Sequence, residues 1–317
     1  MKRPIRILLL LFATLLVSIS AQAQAARVET VQLKSKLINA TLPYNVVLPP
    51  SYVPQTSKAP KNRFPVLYLL HGLAGHYTNW VEKTKLAEYV AQHNSIIVIT
   101  PEGNDGWYTD SATVPTDKYE SYILKELIPN VESRYRTISL REGRAIAGLS
   151  MGGYGALKFG IKFPDKFIFA ASISGALDAA ASTDEHPSVA WDFVRPSIMQ
   201  TFGPAGSRTR SANDLHQLFR NLPDERIPSL PFFYLDCGTE DGFIKTNRDL
   251  ASILLERNIS HEFRELPGEH DWKYWDQQVR EILKVAERRL AKAAMVTNRR
   301  ARRSFDKTMK SMLAKLH

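Results

Sequence analysis

The sequence predicts an α/β fold in which a mostly parallel central sheet carries helices on both faces. Short, continuously apolar runs alternate along the chain with longer segments of helical periodicity. This alternation favours right-handed crossovers between parallel strands that are buried on both faces. A glycine-rich turn, Gly148-Leu-Ser-Met-Gly152, also joins one apolar run directly to a helix-like segment. The pattern contains no internal repeat and no sign of a second domain.

The N-terminal half of the pattern begins with two strand-like segments and then alternates between strands and helices. The predicted strands are Val28–Lys36, Leu42–Leu48, Phe64–Leu70 and Ser95–Thr100, and the predicted helices are Thr84–His93 and Tyr119–Tyr135. A break is expected in the second helix just before Pro129, because proline lacks the backbone N–H that a helix requires and restricts the residue preceding it.

The C-terminal half continues the alternation around the apolar run that precedes the glycine-rich turn. The predicted strands are Arg144–Leu149, Phe167–Ser172, Phe232–Asp236 and His261–Leu266, and the predicted helices are Gly242–Arg257 and Trp272–Ala294. The last helix has one continuous apolar face, which is typical of a helix packed on a sheet.

Residues 178–230 fit this alternation poorly. The segment is rich in proline and contains short helix-like pieces near Val189–Met199 and Asn213–Phe219. It follows the end of a predicted strand, where loops often contribute to a binding site. We therefore expect either a partial cap over the site or a plain surface excursion.

Residues 1–25 have the three parts of a secretory signal. A basic start, Met1–Arg6, leads into the apolar run Ile7–Ile19, and small residues at Ala23 and Ala25 suit cleavage after Ala25. The apolar run is short for a membrane span, although an uncleaved anchor is the alternative. The sequence therefore predicts an extracytoplasmic protein, either periplasmic or secreted, with a catalytic domain over residues 26–294.

The formal charge of +10 is confined to the two ends of the chain. The signal contributes +3 and the residues after Ala291 contribute +7, which leaves a net charge of zero for the body between them. Because the fold itself has no basic bias, nucleic-acid binding is not expected.

The basic tail, residues 295–317, has its own amphipathic pattern. Its apolar residues fall on one helical face: Phe305, Met309, Met312, Leu313 and Leu316. One hypothesis is that this tail binds an anionic envelope surface or polymer. The alternative is a partly disordered, solvated end.

Cys237 is the only cysteine, so the chain has no internal disulfide and packing alone must hold the fold. Apolar residues precede it in the predicted strand Phe232–Asp236. We expect a buried, unreactive thiol.

Ser150, at the centre of the glycine-rich turn, is the predicted nucleophile. A strand that reverses into a helix within one residue forces that residue into a strained backbone conformation, and glycines on either side remove the collisions. Such a turn lifts the serine hydroxyl above the sheet and leaves the Met151 N–H at a helix N-terminus, where it can donate to an oxyanion.

A nucleophilic serine needs a base and an acid that orients the base. In folds of this kind the acid and then the histidine follow the serine, each in a loop after a strand. The turn after Phe232–Asp236 presents Asp241, and the turn after His261–Leu266 presents His270. Asp236 and Glu240 are the alternative acids. The other histidines considered are read as surface residues: His76, His93, His186, His216 and His261.

The segment His71-Gly-Leu-Ala-Gly75, which follows a predicted strand, suits a second oxyanion donor at the Leu73 N–H. His71 itself is read as a structural residue that fixes the loop. No spacing of metal ligands and no phosphate-binding glycine loop is present, so no metal and no cofactor is expected.

Aromatic residues cluster around the same predicted loops. Four are predicted to contact substrate, where they offer flat surfaces to an aromatic acyl group or a sugar ring: Trp80, Trp107, Tyr108 and Trp272. Trp191 lies in the proline-rich segment, and Trp275 is expected to pack in the core. Burial in the core is the alternative for all of them, because large aromatic side chains are commonly buried.

Several motifs in the same order resemble the putative esterase family of the α/β-hydrolases, most of all its tributyrin-esterase branch. They are His71-Gly-Leu-Ala-Gly75, Gly106-Trp-Tyr-Thr-Asp110, Gly148-Leu-Ser-Met-Gly-Gly-Tyr154, Cys237-Gly-Thr-Glu-Asp241 and Gly268-Glu-His-Asp-Trp-Lys-Tyr-Trp275. The resemblance spans roughly Val31 to Leu290 and implies an α/β-hydrolase fold. It also implies Ser150 as nucleophile, His270 as base and Asp241 as acid, with Leu73 and Met151 as oxyanion donors.

The family includes S-formylglutathione hydrolases, feruloyl and acetyl esterases, and mycolyltransferases. The resemblance therefore implies a serine esterase that needs no cofactor and acts on short-chain or aromatic esters, either small molecules or carbohydrate-linked. An acyltransferase with the same acyl-enzyme and a glutathione thioesterase are the alternatives, although an export signal argues against the latter. A non-catalytic binding protein is a further alternative. The oligomeric state stays open.

Overall fold

Eight strands form one sheet in the computed structural model, which describes residues 25–53, 62–93 and 95–291. In chain order they are β1 Arg27–Ser35, β2 Ala40–Leu48, β3 Val66–Leu70, β4 Ile97–Pro101, β5 Arg144–Leu149, β6 Phe169–Ile173, β7 Phe232–Gly238 and β8 His261–Leu266. Their order across the sheet is β1-β2-β4-β3-β5-β6-β7-β8. β2 pairs antiparallel with β1 and β4, and the pairs from β4 to β8 are parallel. The predicted fold class is confirmed, with strand ends shifted by at most two residues.

Helices and helical turns connect the parallel strands. The α-helices are α1 Asn79–Lys83, α2 Leu86–His93, α3 Tyr119–Tyr122, α4 Ile128–Arg134, α5 Met151–Lys162, α6 Trp191–Phe202, α7 Arg208–Ser211, α8 Leu215–Arg220, α9 Ile244–Glu256 and α10 over 272–291. A π-helical turn, Ile123–Leu127, joins α3 to α4, and 3-10 turns occupy Arg141–Gly143 and Asp224–Ser229. The short helix α1 was not predicted from the sequence.

The sheet is covered on both faces, and successive residues of each strand point to opposite layers. In β3, Tyr68 packs into the layer that contains α3 to α5 and α9. Its neighbours Leu67 and Leu69 pack into the layer that contains α1, α2 and α10. This double burial explains why the parallel strands are continuously apolar.

The irregularity predicted before Pro129 is the π-helical turn. The N–H of Ile128 donates to the carbonyl of Ile123, five residues back, instead of four. The wider turn lies where proline can supply no N–H and its ring would crowd the preceding turn. The chain thus continues as a helix through Pro129, with a bulge in place of a break.

The insert, residues 178–230, folds into α6, α7 and α8 joined by loops. Its loop carbonyls need donors because they lie outside regular structure. The buried guanidinium of Arg210 donates to the carbonyls of Ala180, Ser182 and Gly203. It thereby connects the start of the insert with the loop that follows α6.

The predicted signal up to residue 24 and the predicted tail lie outside the described residues, as do the last residues of the predicted final helix. No helix within 25–53, 62–93 and 95–291 is both long and apolar enough to cross a lipid bilayer. Cys237 is free and fully buried, and burial raises the pKa of its thiol.

Candidate active site

Ser150 lies at the junction of β5 and α5, in a backbone conformation that is unfavourable for a side-chain-bearing residue. Its φ is 52° and its ψ is −117°, and a conformation of this kind costs about 1–3 kcal/mol. The Ser150 N–H donates to the carbonyl of Ile173 on the next strand at 2.9 Å, which holds the turn in place. A Cβ on Gly152 would lie 2.5 Å from the carbonyl oxygen of Leu70, so only glycine permits this close crossing.

His270 lies in the turn between β8 and α10 and reaches Ser150 across the sheet edge. Its Nε2 is 3.1 Å from the Ser150 Oγ, and its Nδ1 is 2.8 Å from Oδ2 of Asp241. Two rings fix the imidazole: Trp275 meets it edge-on at 4.9 Å between centroids, and Phe243 lies at 5.1 Å. The ring therefore has one orientation available to it, with a nitrogen aimed at each partner.

Asp241 lies in the turn after β7 and is only 2% exposed. Burial alone would raise the pKa of its carboxyl group, but the hydrogen bond and charge of His270 and the N–H of Phe243 outweigh this effect and lower the pKa. An ionised Asp241 requires a proton on Nδ1 of His270. The Nε2 lone pair is then free to accept the Ser150 proton.

The two alternative acids lie elsewhere. Glu240 accepts a hydrogen bond from the Gly268 N–H and thereby shapes the turn before His270. Asp236 is buried within β7 and is not among the partners of His270. Only Asp241 of the three candidate acids contacts the imidazole.

Leu73 and Met151 carry the two candidate oxyanion N–H groups. Leu73 and Ser150 line the same cavity, and Met151 is the first residue of α5. In the part of the chain that the structure describes, neither N–H donates to a protein acceptor. A helix N-terminus favours negative charge, so this pair is suited to bind an oxyanion.

Contacts of two buried side chains, His71 and Glu102, hold the loop that carries Leu73. The His71 ring contacts the Gly72 carbonyl through Nδ1 at 2.7 Å, and its Nε2 lies 2.9 Å from the Gly103 nitrogen and 3.2 Å from Oε1 of Glu102. Burial would raise the pKa of Glu102, but its contacts with His71 and with backbone N–H groups lower that pKa to about 2. The structural interpretation of His71 agrees with these contacts.

A cavity of about 440 Å³ opens above Ser150. Its walls are mostly apolar. They come from the loop that carries Leu73, the turns that carry Asp241 and His270, and the insert. The insert contributes Val189, Phe193 and Val194, and Phe193 is 64% exposed at the rim. Sequence reasoning missed these residues. Their only signal was the position of the insert after β6.

The predicted aromatic residues divide into two groups. Trp107, Trp272 and also Trp275 line the cavity. Trp80 and Tyr108 are fully buried and lie outside the lining, which differs from the prediction that they contact substrate. Both are held beneath the site by hydrogen bonds, from Trp80 Nε1 to the carbonyl of Leu70 and from the Tyr108 hydroxyl to the carbonyl of His71.

A second depression of about 460 Å³ adjoins this cavity. The two share a wall made of Leu73, Ala74 and Phe193. The far side is polar and includes Asp105 and Asp117, neither of which forms an ion pair within the described chain. Among the described residues, no group of three or more His, Cys, Asp or Glu side chains is arranged to hold a metal ion.

The chain is similar to known proteins over most of its length. The sequence profile of the family described as "Putative esterase" matches residues 35–285. An acetyl esterase of Caldicellulosiruptor saccharolyticus is 32% identical over 218 residues, which cover 67% of this chain and 79% of the relative. A diacylglycerol acyltransferase/mycolyltransferase Ag85B of Mycobacterium avium is 31% identical over 254 residues, which cover 69% of this chain and 73% of the relative. The solved structure of FphF, a fluorophosphonate-binding serine hydrolase of Staphylococcus aureus, has a TM-score of 0.71 and 25% identity, covering 83% of this chain and 99% of its own.

Proposed function

The chain belongs to the family described as "Putative esterase", and we propose that it is a serine carboxylic ester hydrolase that works through an acyl-enzyme. The proposal rests on one observation: Ser150, His270 and Asp241 form a hydrogen-bonded series at the floor of an apolar cavity. Ser150 Oγ lies 3.1 Å from His270, and His270 lies 2.8 Å from Asp241. A weak nucleophile is thereby joined to a base, and the base to an orienting carboxylate.

In this mechanism Ser150 attacks the ester carbonyl while Nε2 of His270 takes the hydroxyl proton. Asp241 keeps the imidazole in the correct tautomer and stabilises the imidazolium that forms. The carbonyl oxygen becomes an anion between the N–H groups of Leu73 and Met151. His270 then returns the proton to the leaving alcohol, and water activated by the same imidazole hydrolyses the acyl-enzyme.

The acyl portion of the substrate occupies the apolar cavity above Ser150. A volume of about 440 Å³ suits a short acyl chain or one aromatic ring. Trp272, half-buried in the cavity wall, offers aromatic surface to a feruloyl-type ring, and the buried Trp107 contributes only an edge of the wall. Acetyl, short-chain and feruloyl esters are therefore the proposed acyl classes, and the similarity to an acetyl esterase supports the first of them.

The alcohol portion of the substrate occupies the adjoining polar depression. Asp105 and Asp117 offer carboxylate oxygens to hydroxyl donors, and exposed Phe193 offers an apolar platform to the C–H face of a ring. This combination favours a hydroxyl-rich alcohol, as in a carbohydrate-linked ester. A plain small-molecule ester fills the first cavity alone.

Two other reactions use the same acyl-enzyme. In an acyltransferase an acceptor alcohol replaces water. The similarity to a mycolyltransferase supports this alternative. A thioesterase of the S-formylglutathione hydrolase kind would accept a thiol leaving group. A non-catalytic binding protein would have no need for the complete series of serine, histidine and aspartate.

The function is tested by hydrolysis of p-nitrophenyl esters from acetate to laurate, together with a ferulate ester and a thioester. We expect the mature protein to cleave the short or aromatic oxygen esters, and Ser150→Ala to abolish this activity without loss of folding. An acceptor-dependent product would identify a transferase. A folded protein that is inert towards every ester would disprove the hydrolase proposal.

Export to the periplasm or the medium, with cleavage after Ala25, is a separate proposal supported by the pattern of residues 1–25. N-terminal sequencing of the protein recovered from each cell fraction tests it. Association of the basic tail with an anionic envelope surface is tested by deleting residues 296–317. Unchanged, salt-insensitive envelope association after the deletion would contradict this role for the tail.

A further inference from the structure

Asp236 is a fully buried carboxyl group that the proposed mechanism does not use. It lies on β7, on the sheet face covered by α10, and neither of its oxygens has a hydrogen-bond partner within the described chain. The buried hydroxyls of Tyr234 and Tyr274 lie close enough to Asp236 to lower the pKa of its carboxyl group, although none of these groups completes a hydrogen bond of good geometry within the described chain. A buried polar group without partners is costly, so its retention calls for an explanation.

The position of Asp236 connects the two turns of the candidate site. β7, which carries Asp236, runs directly into the turn of Asp241. Tyr274 lies in the first turn of α10, four residues after His270. The interacting side chains of Asp236 and Tyr274 therefore link the strand that leads to Asp241 with the start of the helix that follows His270.

The beginning of α10 also contacts the His270 turn directly. The Tyr274 ring packs on Gly268, where a Cβ would approach the ring to 2.3 Å. The next residue, Trp275, meets the His270 ring edge-on at 4.9 Å. Any displacement of this helix start is therefore transmitted to the imidazole.

Burial favours the neutral form of the Asp236 carboxyl group. Burial raises its pKa to about 8, although the two tyrosine hydroxyls and Arg264 on β8 offset part of the effect and Glu281 on α10 adds to it. Arg264 itself forms ion pairs with Glu262 and Glu281. Cys237, a further titratable residue on β7, is neutral because burial raises the pKa of its thiol.

We propose that Asp236 is a positioning residue which, as a neutral carboxylic acid, joins β7 to the start of α10 and so keeps Asp241 and His270 within hydrogen-bonding distance. The inference rests on the proposed function for its kinetic consequence. A neutral acid can both donate and accept among the buried hydroxyls. Its ionisation places an uncompensated charge in this layer, which separates β7 from α10 and weakens catalysis at alkaline pH.

The test compares the wild type with Asp236→Asn, which resembles the neutral acid in shape and hydrogen bonding, and with Asp236→Leu. On p-nitrophenyl acetate we expect wild-type kcat to fall above about pH 8, and Asp236→Asn to keep most of the neutral-pH kcat and to lose this alkaline fall. Asp236→Leu should lower kcat by about tenfold or more at every pH with KM little changed, because the imidazole is misplaced. An alkaline fall that persists in Asp236→Asn, or full activity in Asp236→Leu, overturns the proposal.

A second buried group requires a control. Lys158, on the opposite face, has a pKa lowered to about 8 by burial. If Lys158→Met removes the alkaline fall, Lys158 accounts for it and the proposal is wrong. If the fall remains in Lys158→Met, the assignment to Asp236 is supported.

An activity-independent measurement separates this proposal from the proposed function. The Nδ1 proton of His270, bonded to Asp241, should give a low-field proton NMR signal. We expect the signal to weaken above about pH 8 in the wild type and to persist in Asp236→Asn. If the protein is inert towards esters but shows this NMR pattern, only the esterase proposal is refuted. If the protein is active but the signal has the same pH dependence in the wild type and in Asp236→Asn, only the role of Asp236 is refuted.

Discussion

The Oδ2 atom of Asp241 lies 2.8 Å from Nδ1 of His270, although the two residues are 29 positions apart in the chain. They meet because β7 and β8 are parallel neighbours, so the turns that follow them open on the same edge of the sheet. Ser150 reaches that edge from β5, two strands further in. Parallel pairing therefore brings together three residues that no local contact could assemble.

Replacing the orienting carboxylate tests its role most directly. Asp241→Asn should lower kcat by about 10³-fold to 10⁴-fold with little change in KM, because an amide can no longer enforce the tautomer that leaves Nε2 free. The measurement is kcat and KM on p-nitrophenyl acetate at neutral pH. Glu269→Gln is the matched control, since it removes an exposed carboxylate from the same turn as His270 and should leave kcat unchanged. Equal losses in the two variants would contradict the assignment.

The exposed ring of Phe193 is expected to act on substrate affinity. Phe193→Ala should raise KM several-fold for feruloyl or sugar-linked esters and leave kcat and the melting temperature unchanged, because the ring is 64% exposed and forms a wall of both cavities. Leu255→Ala removes a side chain of comparable exposure at the C-terminal end of α9 and serves as the control. A Phe193→Ala enzyme with wild-type KM for all these esters would remove Phe193 from the substrate site.

Much of the fold and of the site could be predicted from the sequence because these features depend on local pattern and chain order. Ser150 was identified from its glycines, whereas Asp241 and His270 followed from the rule that site residues lie after parallel strands. Their geometry in the structure agrees with that rule. Such features require no knowledge of how distant surfaces pack.

The remaining features depend on packing that spacing does not encode. Trp80 and Tyr108 follow the expected strands, yet each turns inward because a backbone carbonyl beneath the site accepts its polar hydrogen. Phe193 lies in a proline-rich insert without a clear period, so its placement on the cavity rim could not be read from the sequence. The sequence also allowed Asp236 as the acid. The structure is needed to show that Asp236 is buried within β7 and does not contact His270.

The carboxylate of Glu102 should make the fold sensitive to acid. Its pKa is lowered from 4.5 to about 2 in the folded protein, so its contribution to stability is fully present above about pH 4.5 and is lost as the pH falls towards 2. A shift of this size corresponds to about 3 kcal/mol. Between pH 5 and pH 3 the free energy of unfolding of Glu102→Gln should therefore fall less than that of the wild type.

Chemical denaturation over this pH range measures the difference. Glu88→Gln, on the surface of α2, controls for the loss of one carboxylate. Parallel pH profiles for the wild type and Glu102→Gln would show that Glu102 has the same pKa in the folded and unfolded states, contrary to the contacts that hold it.

Gly153 and Ser172 form a pair whose coupling can be measured. A Cβ on Gly153 would approach the Ser172 Oγ to 2.4 Å, whereas the Cβ of Gly152 would meet a backbone carbonyl that cannot move. The Ser172 Oγ is buried and has no hydrogen-bond partner within the described residues, so its removal by Ser172→Ala should be neutral or slightly stabilising. Gly153→Ala should lower the free energy of unfolding by about 1–2 kcal/mol, since overpacking outweighs the helix preference of alanine.

The double variant Gly153→Ala/Ser172→Ala should recover most of this loss, which gives a coupling energy of about 1 kcal/mol or more in a double-mutant cycle. Gly152→Ala combined with Ser172→Ala provides the control, because the obstruction there is the Leu70 carbonyl and no side-chain truncation relieves it. Unfolding in denaturant gives all the free energies, and p-nitrophenyl acetate hydrolysis reports whether the Ser150 turn is restored. Strict additivity of Gly153→Ala and Ser172→Ala would mean that the turn shifts to admit the methyl group, and that the close packing around Ser150 is less rigid than its geometry indicates.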